Sequence, residues 1–239
     1  MEIQPIAYFH SPLTSKFGLP RQSGLVDSLP GRIVFTPDYR RAEAVRGLEG
    51  FDYLWIVWGF SENAPTSALT VRPPRLGGNE RVGVFASRSP FRPNGLGLSA
   101  VRITAIEASG DICVSGADLM DGTPIYDVKP YVAETDAHPT ARSGFVDSHQ
   151  WQRLDVVLPA EAEELLTQQQ ADTLRQLLAL DPRPHYHRSP SRVYGMPYSG
   201  FDIRFKVEQQ TLTVLSMVKI LHKNAKIVGK NLGHLKNSS

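Results

Sequence analysis

The chain has 239 residues, 41% hydrophobic and 21% charged, with a net charge of +2; that allows one large domain or a main domain with an appendage, and excludes a disordered or uniformly basic protein. One cysteine, Cys113 in DICVSGA, reads as a buried strand residue; it excludes a disulfide framework or a cysteine-based zinc site within one chain and fits a reducing cytoplasm. No basic start leads into an N-terminal apolar run, and the longest apolar stretch, near 54–60, is too short for a bilayer, so neither signal peptide nor membrane association is expected.

The opening IQPIAYFHSPL reads as a short strand packing through Ile3, Ile6 and Tyr8, followed by the Gly- and Pro-dense loop SKFGLPRQSGL. GRIVFTP is a second strand. Asp38 is placed to cap a short helix, YRRAEAVRGL, that Gly47 and Gly50 bring to its end. FDYLWIVWGF is apolar at nearly every position and predicts a third strand buried on both faces.

The stretch from Val71 to Ser99 holds Arg72, Arg75, Arg81, Arg88 and Arg92 against one acid, Glu80, among many glycines and prolines and a strand-like core of Val82, Val84 and Phe85. Such a segment reads as a rigid loop scaffold aiming guanidinium forks and backbone N–H groups at an anion; the plainer alternative is a pair of loops with solvated arginines. LSAVRITAIEA and DICVSGADL, joined by Ser109, Gly110 and Asp111, predict an antiparallel hairpin. DGTPIYDVKPYV adds a strand whose Pro124 and Pro130 restrict pairing to its ends or to an edge. Successive strands with Gly/Pro turns and one short helix favour a mainly β fold, a small closed or strongly bent barrel.

Composition shifts over 134–152, the best linker, which divides a barrel domain of residues 1–150 from an α+β lobe of 151–216. In the lobe, Pro159–Leu180 carries leucines at helical spacing and predicts one long helix, stopped by Pro182 and Pro184. FDIRFKV and TLTVLSM follow as a hairpin around Glu208–Gln210. The tail from Met217 to Ser239 carries five lysines and no acid; without them the net +2 becomes −3, so polyanion affinity must come from this tail or from the arginine loops. Both a natural RNA-holding arm and a non-native remnant fit that composition, and truncation after Ser216 is expected to leave activity intact.

Phosphate-loop, dinucleotide-binding GxGxxG, GxSxG and HExxH motifs are absent. His185 and His187 lie two apart with no third ligand near, so no metal is expected. What remains are four clusters: LPRQSGLV (19–26), VRPPRLGGN (71–79), FASRSPFRPNGLGLS (85–99) and DLMDGTPIYDVKPY (118–131). In order and spacing they resemble the TrmO (TsaA-like) family of S-adenosylmethionine-dependent tRNA methyltransferases, over residues 1 to about 215.

The resemblance implies a methyltransferase on a small β-barrel rather than a Rossmann sheet, acting on N6 of threonylcarbamoyladenosine beside the anticodon. It implies a homodimer with the cofactor site close to the subunit contact. By similarity the cofactor site takes Pro20, Arg21, Gln22, Ser61, Glu62, Arg88, Leu98, Asp118, Leu119, Met120 and Asp121; Ser61 departs from the histidine of some relatives. Chemistry agrees with these types. A carboxylate calls for an arginine fork, a sulfonium for carbonyl oxygens or a carboxylate, and adenine for backbone groups and an apolar wall. Tyr126 and Asp127 are the candidates for taking or orienting the acceptor N–H proton. Arg72, Arg75, Arg92, Asn94, Lys129 and Tyr131 are the candidates for holding the anticodon loop, with bracing of the loop the alternative for Arg92 and Asn94. Two other readings stay open on the residues alone: a non-catalytic RNA- or nucleotide-binding module, and a methyltransferase with a different acceptor.

Overall fold

The structure, a computed structural model, describes residues 2–63, 66–78, 80–149, 152–183, 189 and 191–220; the 185/187 histidine pair and the chain beyond 220 lie outside the described residues. Strand β1 (Ala7–His10) buries Ala7 and Phe9, while Ile3 and Tyr8 are each 44% exposed. Ile6 packs against the barrel core as expected, but the buried face of the strand itself is opposite to the one expected from Tyr8. Its cause is Phe9, whose ring occupies the space over Gly31 where any Cβ would collide with it. Strand β2 (Pro30–Phe35) pairs with β1. The expected helix near 39–48 is instead two 3-10 turns, Ala42–Val45 and Leu48–Gly50, neither with a side-chain cap, because Gly47 at φ 94° breaks the path.

Strand β3 (Tyr53–Gly59) buries Leu54, Ile56 and Trp58 but turns Tyr53 and Trp55 outward, so it has one buried face rather than two. The outward rings are shielded sideways by Tyr131, 6.2 Å from Tyr53 and 5.5 Å from Trp55. A two-stranded ribbon follows, β4 (Thr70–Val71) with β5 (Val82–Gly83); Val84 is buried behind it, but Phe85 is 76% exposed and no part of the core. Strands β6 (Leu96–Ile106) and β7 (Ile112–Ser115) form the expected hairpin. Strand β8 (Pro124–Pro130) keeps its prolines at its two ends and pairs with both β1 and β3. That last pairing closes the ring β1-β2-β7-β6-β3-β8, every neighbour antiparallel, into a closed barrel. Phe9, Ile33, Leu54, Ile56, Ile112, Val114 and Ile125 fill it.

The linker contains two short helices, α1 (Ala133–Asp136) and α2 (Phe145–Ser148). Beyond it, β9 (Asp155–Val157), β10 (Tyr194–Tyr198), β11 (Phe201–Glu208) and β12 (Thr211–Lys219) form a sheet in the order β10-β11-β12-β9. The single long helix expected here is two, α3 (Ala160–Glu163) and α4 (Gln168–Ala179). Thr167 starts the second one with a capping box: its hydroxyl accepts from Gln170 N, and the Gln170 side chain accepts from Thr167 N. Strand β12 also runs three residues into the expected tail, pairing Met217, Val218 and Lys219 with Ile203, Asp202 and Phe201. Those three residues belong to the sheet, and a cut after Ser216 would remove the end of a strand.

The lobe core, with Leu174, Leu177, Met196, Ile203 and Phe205, also takes in Leu13, Val26 and Leu29 from the loop between β1 and β2. Each fully buried leucine contributes roughly 1.5–3 kcal/mol. Two further ties hold that loop: Thr173 Oγ1 donates to Ser28 Oγ at 2.8 Å, and Ser199 N donates to Pro12 O at 3.1 Å. The β1–β2 loop is thus seated on the lobe as well as on the barrel.

Candidate active site

A cleft of about 460 Å³ opens where the β1–β2 loop, the C-terminal end of β3, the start of β6 and the turn after β7 meet. Its size lies within the range of small-molecule sites. Trp58, Phe60, Leu96 and Leu98 give it apolar walls; Lys16, Arg21, Arg88 and Arg92 are its cations. Glu62 and Asp118 are its only acids among the described residues.

Its polar groups are fixed by their neighbours. Arg88 Nη1 donates to Gln22 Oε1 at 2.5 Å, and Lys16 Nζ donates to the Glu62 carbonyl at 2.6 Å, which ties the β1–β2 loop to two other walls. Arg21 Nη2 donates to the Asp181 carbonyl at 3.4 Å, just past α4. Burial lowers the pKa of the Arg21 guanidinium; nearby Asp181 opposes that and Arg75 adds to it. Asp181, at φ 52°, is itself forked by Arg183 at 2.7 and 2.8 Å. Behind the cleft floor, Trp58 Nε1 donates to Ser99 Oγ at 3.0 Å, and Ser99 Oγ donates to Asp118 Oδ1 at 2.6 Å. Burial pushes the Asp118 carboxyl up, against the Ser99 hydrogen bond and the charge of Arg88. Gly97 is required here, since a Cβ on it would strike the Trp58 indole.

The family model described as tRNA-methyltransferase O N-terminal domain matches residues 8–137, and that described as TrmO C-terminal domain matches 151–220. The chain belongs to the TrmO family. It is 37% identical over 228 residues to the tRNA (adenine(37)-N6)-methyltransferase of Escherichia coli, covering 90% of this chain and 97% of that one. A putative S-adenosylmethionine-dependent methyltransferase of Pseudomonas aeruginosa is 39% identical over 213 residues, with 85% and 91% covered. The crystal structure of TrmO from P. aeruginosa superposes with a TM-score of 0.75 at 32% identity, over 92% of this chain and 97% of that one.

The cleft brings together most of the residues that the family resemblance singles out: Pro20, Arg21, Gln22, Ser61, Glu62, Arg88, Leu98, Asp118 and Met120, with Arg92 beside them. It leaves out two. Leu119 is 1% exposed and packs in the barrel core. Asp121 turns the other way: its Oδ1 accepts from Ser11 N at 3.1 Å and lies 3.2 Å from His10 Nδ1, so it braces the end of β1.

Neither proposed catalytic residue lines the cleft. Asp127 faces outward and pairs with Lys129 at 3.0 Å. Tyr126 sits at a bulge where Val57 opposes Asp127 and Trp58 opposes Ile125; its ring packs against Gly59, a cleft residue, where a Cβ would meet the ring at 2.9 Å. Tyr131 does not line the cleft but packs at a tilt on the outward face of Trp55, a cleft-lining residue whose Nε1 donates to Asp136 at 2.8 Å. Arg72 and Asn94 are exposed, and Arg75 Nη1 reaches the Val146 carbonyl at 3.5 Å; all three stand outside the cleft. Arg92 lines it while its Nη1 donates to Ser87 O at 3.2 Å, so it also braces its own loop.

Sequence reasoning missed Lys16, Trp58, Phe60 and Ser99. Trp58 and Phe60 were concealed in an apolar run that reads as core throughout. The signal in that run was the indole N–H of Trp58, which needs an acceptor when buried.

Proposed function

We infer that this chain methylates N6 of adenosine 37 in tRNA, and that the adenosine it accepts carries the threonylcarbamoyl group. The chain is an S-adenosylmethionine-dependent tRNA (adenine-N6)-methyltransferase of the TrmO family, the activity carried by relatives that match nearly its whole length. The observation that carries the reading is the donor set of the cleft. S-adenosylmethionine has an α-carboxylate, two positive centres and an adenine; the cleft offers arginines, two acids and apolar walls. Arg21 and Arg88 suit the carboxylate, Glu62 and Asp118 the positive centres, and Leu98 and Met120 the adenine. Bound there, the cofactor supplies an electrophilic methyl group. The chain's own part is to hold the acceptor nitrogen in line, exclude water and orient the N–H. Tyr126, against the cleft-lining Gly59, stays the candidate for that last role; the outward, Lys129-paired Asp127 does not.

Arg72, Arg75 and Asn94, beyond the cleft, are proposed to meet phosphates of the anticodon loop, with Arg92 at the mouth and Lys129 and Tyr131 on the flank. If so, loss of Arg72 and Arg75 together lowers the slope of log K against log salt by about 1–2, whereas an unchanged slope removes them from the interface. The barrel domain is proposed to extend to about residue 150 and the α+β lobe from 151; the family models, over 8–137 and 151–220, support a division between them. A homodimer is also proposed, supported by the exposed Leu69 and Phe85, at 75% and 76%, on the loops beside the cleft. The single cysteine and a tRNA substrate favour the cytoplasm; no described helix is long and apolar enough to cross a membrane.

Mass spectrometry of nucleosides after incubation with S-adenosylmethionine and tRNA tests the reading. A gain of one methyl on threonylcarbamoyladenosine, absent with unmodified tRNA, fixes reaction and acceptor together. Methylation of plain adenosine, or none at all while the cofactor binds, points to a different acceptor. Failure of the cofactor to bind would favour a non-catalytic RNA-binding module.

A further inference from the structure

Asp118 and Glu62, the two acids of the cleft, are held differently. Glu62 is exposed, and Lys16 engages its backbone carbonyl rather than its carboxylate. Asp118 is half-buried at the floor, and two donors in series reach it from behind. Ser99 has one hydroxyl hydrogen. With the Trp58 indole N–H filling a lone pair of Ser99 Oγ, that hydrogen goes to Asp118 Oδ1, and both positioning groups are buried, Ser99 at 1% and Trp58 at 7% exposure. The carboxylate is thus fixed in direction, with the backbone N–H groups of Ser23 and of Asp118 itself as its further donors. Burial leaves its negative charge under-compensated, with Arg88 the nearby cation that acts on it. A half-buried, oriented carboxylate of this kind gains most from a cation that cannot leave with a proton.

The methyl donor and the thioether left after transfer share the same α-carboxylate, α-ammonium and adenine. They differ in the transferred methyl group and, with it, in one formal charge on sulfur. With the exposed Glu62 assigned to the ammonium, common to both, the more buried Asp118 is assigned to the sulfur. We propose that Asp118, held by Ser99 and Trp58, is the group that makes this cleft prefer the positively charged donor over its neutral thioether product. This rests on the reading of the cleft as the S-adenosylmethionine site and adds how the site tells donor from product. Loss of the charge on transfer removes the attraction and favours product release. Ser99 and Trp58 act through Asp118 as positioning residues.

Calorimetric titration of the full-length chain with S-adenosylmethionine and with S-adenosylhomocysteine separates the possibilities. Asp118→Asn keeps the acceptor oxygen for Ser99 and removes the charge. It is expected to weaken the donor roughly tenfold or more and the product less than about twofold, collapsing the preference. Glu62→Gln is expected to weaken both ligands alike. Ser99→Ala is expected to reduce the preference in the same direction by a smaller factor, roughly threefold, and it carries the test if the Asp118 variant fails to fold. Equal weakening of both ligands by Asp118→Asn, or an unchanged preference in a folded Asp118 or Ser99 variant, overturns the proposal while leaving the cofactor site in place. Failure of the wild-type chain to bind S-adenosylmethionine overturns both.

Discussion

Two aspartates bracket the four-residue strand β7, and their surroundings differ. Asp111, just before the strand, has a fully buried side chain saturated with donors: Arg40 through Nε and Nη2, Arg32 Nη2 at 3.0 Å, and Phe35 N at 3.2 Å. Asp118, just after it, has the Ser99 hydroxyl, the backbone N–H groups of Ser23 and of its own residue, one nearby guanidinium in Arg88, and an open cleft in front. The consequence shows in their ionisation. Burial raises both, but around Asp111 the Arg40 fork and the backbone of Phe35 outweigh it and hold the carboxyl below the ordinary range, whereas Asp118 stays above it. One end of the strand is a finished joint that clamps β2 and the β6–β7 turn; the other is a cleft acid whose burial outweighs Ser99, the backbone donors and Arg88 together. Sequence places both in strand-end loops, and only the partners tell brace from site.

The largest effect expected from breaking this contrast is at the brace. Asp111→Asn leaves two arginines facing a neutral amide and should cost about 2 kcal/mol in urea unfolding; the partial exposure of Arg32 and Arg40 keeps the figure below that of a fully buried pair. The same residue sets an acid limb. Because its folded pKa is lowered, its contribution is complete above about pH 4 and is lost as pH falls through the folded value, so the gap between wild type and Asp111→Asn should close on acidification below that point. A gap that widens in acid would contradict the sign. At the other end, Gly97→Ala drives a methyl group into the Trp58 indole, disturbs its bond to Ser99, and should cost about 1–2 kcal/mol together with a fall in S-adenosylmethionine affinity. Stability lost with affinity unchanged would show that the indole position does not matter to the site. Smallest is Thr167→Ala in the lobe, which removes one half of the capping box and should cost about 1 kcal/mol without touching the ligand.

How much was legible follows from range. The strand and turn order was readable because Gly/Pro punctuation and alternation are local, and Pro124 and Pro130 marked the ends of β8 correctly. The start of α4 was also readable, in Thr167 and Gln170, but the leucine period across 158–178 ran over it. The phase of β1 was not, since Phe9 faces inward by virtue of Gly31, which lies 22 residues on and is joined to it only by strand pairing. Trp58, Ser99 and Asp118 likewise meet across 41 and 19 residues, so the relay has no local signature. Family resemblance found the run from Asp118 to Asp121 but not that one aspartate serves the cleft and the other the end of β1. Nor does local pattern show that Leu13, Val26 and Leu29 seat the loop of Arg21 on the lobe.

The most direct test of the central contrast is the rise in thermal unfolding midpoint produced by S-adenosylmethionine in wild type, Asp111→Asn and Asp118→Asn. At about a hundredfold excess over the wild-type Kd, a chain of this size should gain roughly 5–10 °C. Asp111→Asn should start lower and gain the same amount. Asp118→Asn should start near the wild-type midpoint and gain only about half as much. If the Asp118 variant keeps the full rise, or if the Asp111 variant is the one that loses it, the cleft acid and the brace have been assigned the wrong way round.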